Sequence, residues 1–396
     1  MTFNPTNWFF DLNLLPQPAY LVGGAVRDGL LQRQREYLDL DFVVPEKAVE
    51  IAKTIANHYQ AGFVVLDAER HIARVVFPQG TLDFAQQEGD SLEVDLQRRD
   101  FTINAIAYNP RTEELIDPLQ GKKDLEKGLL RMVSQKNLAD DPLRLLRGYR
   151  QASQLNFAIE SETRLTIRSL VSKLADVAPE RVQAELNYLL NSTQASHWLK
   201  AAAQDGLLSL WLGDIPPDSF TKLAKVDEAV QLCQELPSIQ PSLGKLAYLV
   251  SPQPQEAQLQ LQHLKYSRDE IKTVCLTLKY LPRLLSLTTS PMLPKEQYFF
   301  FLDVREVFPT LAVVAVAAGA SKDSLLPLIT AYINPENQAA HPTPLVTGND
   351  LMRSLNLSPS RQIGQLLTEI QVARVEGKIK TKEEALELAL SLLSKN

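Results

Sequence analysis

Tyr37-Leu38-Asp39-Leu40-Asp41-Phe42-Val43-Val44 is the stretch on which the reading of this chain turns. Its β-branched, aromatic and apolar residues predict a strand. Along a strand, residues two apart share a face. Asp39 and Asp41 therefore project side by side from an element that is otherwise apolar. Two carboxylates this close repel each other unless a cation lies between them, and hard, oxygen-seeking Mg²⁺ meets that need. An edge strand with two solvated carboxylates is the competing reading, and the residues upstream bear on it.

Those residues are Ala19-Tyr-Leu-Val-Gly-Gly-Ala-Val-Arg-Asp-Gly-Leu-Leu31. Residues 20–22 predict a short strand, Gly23 and Gly24 break it, and residues 25–32 predict a helix. A strand, a glycine turn and a helix start together form an anion site, because glycine lets backbone N–H groups approach a phosphate closely. Arg27, in the first turn, can grip a phosphate oxygen. A glycine pair before a helix is commonly an ordinary turn. Beside a strand with paired aspartates it points to a metal-bound triphosphate.

The chain of 396 residues has room for two to four packed units. With 45% hydrophobic and 22% charged residues it has the profile of an ordinary globular protein. A net charge of −6 excludes a uniformly basic nucleic-acid binder but not a local basic surface. Cys233 and Cys275 sit in apolar helical contexts and read as free core thiols of a reducing compartment. Residues 1–15 lack a basic start and carry Asp11, unlike a signal peptide. The apolar run 311–320 is too short to span a bilayer. A cytoplasmic protein without a membrane partner is the expectation.

Strand candidates cluster early, at 20–22, 40–44, 62–66, 73–77 and 81–84, with helices at 25–32 and 45–59. From about residue 136 helical periodicity takes over, first at 143–155, 160–173 and 179–190. The fold class expected is α+β: a head with a mixed or antiparallel sheet, then an all-α neck, body and tail. The expected boundaries are 1–135 for the head, 136–200 for the neck, 201–335 for the body and 336–396 for the tail.

A second block, Asp95-Leu-Gln-Arg-Arg-Asp-Phe-Thr-Ile-Asn-Ala-Ile-Ala107, sets Arg98 and Arg99 beside Asp100, with Asn104 one helical turn on. Arginines suit triphosphate oxygens or an RNA end, and Asn104 suits a sugar hydroxyl. A helix cap with a surface Arg–Asp pair is the alternative. A third block, Ala139-Asp-Asp-Pro-Leu-Arg-Leu-Leu-Arg-Gly-Tyr-Arg150, offers Asp140 or Asp141 as a helix cap and Pro142 for its first turn. Asp141, Arg144, Arg147 and Arg150 share one half of that helix, while Leu145, Leu146, Tyr149 and Ala152 share the other and should pack. A solvated basic face is one reading. The other is base recognition: a carboxylate accepts from the exocyclic amine of cytosine or adenine, and a guanidinium donates to a ring acceptor. Asp141 and Arg144 would then be a protein template for C or A.

In this order the blocks resemble the class II tRNA nucleotidyltransferases, the family of bacterial CCA-adding enzymes and poly(A) polymerases. The resemblance rests on LVGGAVRD (21–28), DLDFVV (39–44), RRDFTINAIA (98–107), IDPLQGKKDL (116–125), DDPLRLLRGYR (140–150) and ERVQAEL (180–186). It extends to TGNDLM (347–352) and TKEEAL (381–386), and so spans nearly the whole chain. It implies that Asp39 and Asp41 carry two catalytic Mg²⁺ ions. Gly23, Gly24 and Arg27 would hold nucleotide phosphates with Arg98 or Arg99, and Asp100 and Asn104 would complete that nucleotide site. Asp141 and Arg144 would read the base, in a pocket shaped by Arg147 and Arg150. The family's neck motif usually begins Glu-Asp; here Asp140-Asp141 stands, which leaves Asp140 without an assigned role.

The reaction implied is in-line transfer of a nucleotide from CTP, and from ATP if adenosine is added, to the 3′-hydroxyl of tRNA. Arg353, Arg361, Arg374, Lys378, Lys380 and Lys382 could supply phosphate contacts to the acceptor arm. Complete CCA-adding relatives carry a longer segment between the aspartate strand and the RRD block, needed for the final A. Here Thr81-Leu-Asp-Phe-Ala-Gln-Gln-Glu-Gly-Asp-Ser-Leu-Glu93 runs almost directly into that block. The shortening resembles enzymes that add two cytidines and leave the A to a separate A-adding enzyme. Full CCA addition is the main rival, ahead of A addition and poly(A) synthesis. None of the five histidines precedes an aspartate, which argues against an appended metal-phosphohydrolase domain. A non-catalytic RNA-binding relic would have lost a metal ligand or the phosphate glycines, and this chain keeps them.

Overall fold

The strand carrying the paired aspartates, β2 (Leu38–Val44), lies inside a sheet and not at its edge. The computed structural model of the protein describes residues 5–33, 37–287 and 292–394. In it β2 runs antiparallel to β1 (Tyr20–Val22) and parallel to β5 (Gly80–Gln86). Between β1 and β2 lies α1 (Gly24–Leu30), and α2 (Ala48–Tyr59) follows β2. β3 (Gly62–Asp67) and β4 (Ile72–Phe77) precede β5. A short helix α3 (Leu92–Leu96) leads to β6 (Ala107–Asn109) and β7 (Glu114–Ile116). The spatial order is β3-β4-β5-β2-β1-β6-β7, a mixed seven-stranded sheet. β6 and β7, too short to carry a periodic signal, were not among the expected strands.

The two faces of β2 have different fates. Leu40, Phe42 and Val44 are buried on one face, where Phe42 stacks on Phe84 at 5.5 Å and Trp8 meets it edge-on. On the other face Val43 joins Val22, Leu92, Leu96, Ala105 and Ala107 in an apolar cluster. Asp39 and Asp41 share that second face but lie beyond the cluster. A one-residue slip would bury both carboxylates and expose Phe42, so the register is strongly specified.

The chain then runs through α4 (Gly121–Glu126), β8 (Leu129–Leu130), α5 (Gln135–Asp140) and α6 (Leu143–Leu155). β9 (Ala158–Ile159) pairs with β8, a short return of strand where only helix was expected. α7 (Ser161–Leu170), α8 (Pro179–Leu190) and α9 (Ala195–Gln204) follow. As the helical pattern predicts, Leu145, Leu146, Tyr149 and Ala152 are buried. α6 begins behind Pro142 with no side-chain cap, so neither Asp140 nor Asp141 takes the expected capping role. Asp140 ends α5 and is exposed.

The chain divides into two compact units, residues 1–210 and 211–396. The described part of the second is helical. Its helix Phe308–Ala317 is buried along nearly its whole length, and no described helix is long and apolar enough to cross a membrane. The TGNDLM and TKEEAL stretches are helix starts. Thr347 with Asp350, and Thr381 with Glu384, each form a reciprocal capping box. Lys382 also pairs with Asp350 at 2.5 Å.

Candidate active site

The strand register builds the metal-facing half of the site. Val22, Asp41, Asp83, Arg74 and Val64 stand opposite one another on successive strands and so share the face that carries Asp39. Asp39 accepts a hydrogen bond from Thr81 Oγ1 at 2.8 Å. Asp83 is held by both arms of the Arg74 fork, each at 2.7 Å. Asp41, which lines both cavities of the site, has no such hydrogen-bond partner among the described residues. Burial, with the facing Asp83 and Asp39, pushes its carboxyl up to about 6 against the opposing pull of Arg99 and Arg74.

Gly23 lies against both Asp41 and Arg99. Its φ is +70°, which favours glycine, and a Cβ there would come within 3.4 Å of Arg99 Nη1 and 3.6 Å of Asp41 Oδ2. Arg99 is also paired with Asp95 at 3.3 Å. Arg27 is buried, and its guanidinium donates to Asp28 at 2.9 Å and to Asn104 Oδ1 at 2.8 Å. Much of the hydrogen-bonding capacity of Arg27 is thus spent inside the protein. Arg98 points outward and pairs with Glu88 at 2.5 Å.

Asn104 joins the sheet to the helices. Its amide donates to Asp100 Oδ1 at 2.8 Å and to Gln151 Oε1 on α6 at 3.0 Å. Arg98 and Arg99 lie in a turn after α3, and Thr102–Asn104 form a single 3-10 turn. Asp100 is not a surface residue. It accepts from Phe101 N–H at 2.8 Å and pairs with Arg147 at 3.5 Å. Burial opposes its ionisation, but Arg147, Asn104, the Phe101 N–H and Arg144 outweigh it and hold the carboxyl below its usual range. Gly148 lets α6 approach, since a Cβ there would lie 3.1 Å from the Phe101 ring.

The arginine face of α6 is not simply solvated. Arg147 and Arg150 donate to the two oxygens of Glu185 on α8, at 3.0 and 2.6 Å. Arg144 Nη1 donates to the backbone carbonyls of Arg98 and Asn137, and its Nε lies 3.9 Å from Asp141. Asp141 accepts from Arg181 at 3.1 Å through each oxygen. The structure therefore brings Gly23, Gly24, Arg27, Asp41, Arg98, Arg99, Asp100, Asn104, Arg144, Arg147 and Arg150 to one cleft of about 430 Å³. Asp39 lines a neighbouring cavity of about 650 Å³ that shares Gly24, Arg27, Asp41 and Arg150 with the first. Asp141 is tied to the first cleft through Arg144.

Sequence reasoning missed Arg74, Asp83, Arg181 and Glu185. A charge inside each of the apolar stretches 73–77 and 81–84 was the available signal for Arg74 and Asp83. Glu185 and Arg181 lie in the ERVQAEL stretch, but nothing local tells that they reach α6.

The donor set suits Mg²⁺. It consists of hard carboxylate oxygens, and Asp41 in particular is a poorly compensated anion. Among the described residues no group of three or more His, Cys, Asp or Glu gathers to hold a metal. That agrees with Asp83 being committed to Arg74. A site of two carboxylates is what Mg²⁺ uses when substrate phosphates and water complete its shell.

Comparison with known proteins identifies the family. Residues 19–131 match the poly A polymerase head domain. Residues 156–216 match a probable RNA and SrmB-binding site of polymerase A, and residues 236–390 a putative second domain of tRNA nucleotidyltransferase. A CC-adding tRNA nucleotidyltransferase of Synechocystis is 50% identical, over 97% of this chain and 95% of its own. The chain belongs to the tRNA nucleotidyltransferase family. An A-adding tRNA nucleotidyltransferase of Deinococcus radiodurans is 31% identical over 93% of the chain and 94% of its own. Among solved structures, a CCA-adding enzyme with CTP shares the fold at a TM-score of 0.76 and 23% identity, covering 95% of this chain and 91% of that one. The Thermotoga maritima CCA-adding enzyme complexed with tRNA gives 0.70 at 23% identity, with the same coverage. The expected fold class, family and enzyme type are thereby established for this nucleotidyltransferase.

Proposed function

We propose that this tRNA nucleotidyltransferase adds two cytidines from CTP to the 3′ end of tRNA, with no nucleic-acid template. The observation that carries the reading is 50% identity, over nearly the whole chain, to a CC-adding relative. The shortened segment supports it: β5 ends at Gln86 and α3 begins at Leu92, so only residues 87–91 separate them. A long loop of the kind expected in complete CCA-adding relatives has no room there. A separate A-adding enzyme would complete the end, in the cytoplasm where tRNA is processed.

Asp39 and Asp41 would hold Mg²⁺. When bound there, the metal lowers the pKa of the attacking 3′-hydroxyl and neutralises charge on the triphosphate and its leaving pyrophosphate. Gly23, with no side chain to intervene, lets a phosphate come up against Asp41, and Arg99 and Arg98 offer it positive charge. Asp100 holds Asn104 and Arg147 in place; Asn104 faces the sugar. Asp141 accepts the exocyclic amine of the incoming base and Arg144 donates to its ring acceptor. Uracil presents a carbonyl where cytosine presents the amine, so Asp141 would repel it. Glu185 fixes Arg147 and Arg150, which keeps the base pocket in shape before substrate arrives. Arg353, Arg361, Lys378 and Lys380, all exposed, suit phosphate contacts to tRNA. Arg374 and Lys382 are partly engaged with Thr343 and Asp350.

The test gives the purified protein a tRNA transcript that stops before CCA, with labelled CTP and ATP. Two cytidines and a stop are expected. A further A on the same molecule overturns CC specificity, and no incorporation of either nucleotide overturns the function.

A further inference from the structure

The carboxylate face of the sheet is asymmetric. On the β1 side of Asp41 stand Gly23 and Arg99, which the proposed function gives to the incoming triphosphate. On the opposite side, across β5, stands Arg74 on β4. Its guanidinium spends Nε and Nη2 on Asp83, each at 2.7 Å, and Nη1 has no hydrogen-bond partner among the described residues. Although doubly paired, the side chain is 41% exposed. It sits near enough to Asp39 and Asp41 that both carboxylates, after the Asp83 hydrogen bond and charge, help hold its proton.

Two exposed apolar side chains flank Arg74 on the same face. Val64 lies directly opposite on β3 and is 49% exposed; Val76, two residues along β4, is 40% exposed. A fixed cation between two apolar patches, beside catalytic carboxylates and away from the triphosphate turn, matches the backbone of an RNA end. The guanidinium fits a phosphodiester, and the valines fit the ribose or base on either side of it.

We propose that Arg74, oriented by Asp83, binds the phosphodiester preceding the accepting 3′-hydroxyl of the RNA, and that Val64 and Val76 form the shelf on which the terminal nucleoside rests. Asp83 is then a positioning residue whose carboxylate is withdrawn from the metal. This rests on the proposed function, since it names the acceptor side of the same site.

The test is steady-state CTP incorporation into tRNA lacking CCA, varying tRNA, CTP and Mg²⁺ in turn, with thermal melts to verify folding. Arg74→Met is expected to raise KM for tRNA about tenfold and to leave KM for CTP within about twofold. Arg74→Lys restores part of the loss, because it keeps the charge without the fork. Asp83→Asn raises KM for tRNA by a smaller factor, with the Mg²⁺ dependence unchanged. The proposal is overturned if Arg74→Met leaves both KM values unchanged or raises that for CTP as much as that for tRNA. A higher Mg²⁺ requirement in Asp83→Asn overturns the positioning role and makes Asp83 a metal ligand. Should a variant unfold, Val64→Ser on the exposed edge carries the test: KM for tRNA rises if the shelf exists and stays unchanged if it does not. A parent enzyme that incorporates no nucleotide contradicts the proposed function itself; loss of the Arg74 effect in an active enzyme contradicts only this inference.

Discussion

The sheet face around Asp41 and the helix face around Asp100 border the same cleft, yet they treat a carboxylate in opposite ways. Asp41 is buried and crowded by Asp83 and Asp39, and its carboxyl is pushed up to about 6. Asp100 is ringed by Arg147, the Asn104 amide and the Phe101 N–H, and its carboxyl is held low. Burial acts against both charges, so the neighbours decide the difference. The sheet face is left electrostatically unfinished and calls for an added cation. The helix face is neutralised from within, by Asp100, Glu185 and Asp141, and so has a fixed shape before any substrate arrives. A site that transfers a nucleotide needs the first kind of surface, and one that selects a base needs the second.

The largest effect is expected where the contrast is broken on the sheet side. Asp41→Asn should lower nucleotide incorporation at least about a thousandfold, because the proposed Mg²⁺ site would lose an anionic ligand. Stability should move the other way. Between pH 3.8 and about 6 the folded protein binds more protons at Asp41 than the unfolded chain, so stability falls as pH rises through that window. Above it the full penalty remains. Metal-free Asp41→Asn should therefore melt at a higher temperature than the parent at pH 8, and the gap should close toward pH 4. An equal gap at both pH values would show that ionisation of the Asp41 carboxyl is not its source.

Asp100→Asn attacks the helix side and should have the reverse character. It leaves Arg147 without one of its partners and should cost about 3 kcal/mol in denaturant unfolding. Because the Asp100 carboxyl is held low, its contribution is present above the unfolded carboxylate range and is lost as pH falls through the folded value. The parent and variant should thus converge in acid. Variants that differ in stability by the same amount at pH 7 and at pH 3 would contradict this.

A milder perturbation is Arg181→Ala. Arg181 is 51% exposed and holds Asp141 from the rim of the site. Exposed pairs are worth little, so discrimination between CTP and UTP should change by no more than about fivefold. A collapse of selectivity in this variant would move base reading from Asp141 to Arg181.

How far the sequence carried this reading depends on the range of each signal. The strand over Asp39 and Asp41, the turn at Gly23 and the packed face of α6 were legible because each follows from a local period or a local backbone need. The central place of β2 was not, since strand order is a long-range property, and an edge strand remained an open reading. The internal neutralisation of the arginine face was equally hidden. Arg147 and Arg150 read as a basic surface until Glu185, on a helix further along the chain, supplies the opposing charge. Asp83 and Arg74 were visible only as charges in apolar strands, and the register that pairs them came from the fold. The role of Asn104 as a link between the sheet side and α6 was hidden too, because Gln151, which accepts from its amide, lies far along the chain.

We propose that chemistry and base choice reside on separate surfaces, with Asp141 and Arg144 as the template. A competition between CTP and UTP, scored on tRNA lacking CCA with Asp141→Ala, tests it most directly. Preference for CTP is expected to fall about tenfold to a hundredfold while the variant still transfers nucleotides. An Asp141→Ala enzyme that prefers CTP as strongly as its parent would contradict it.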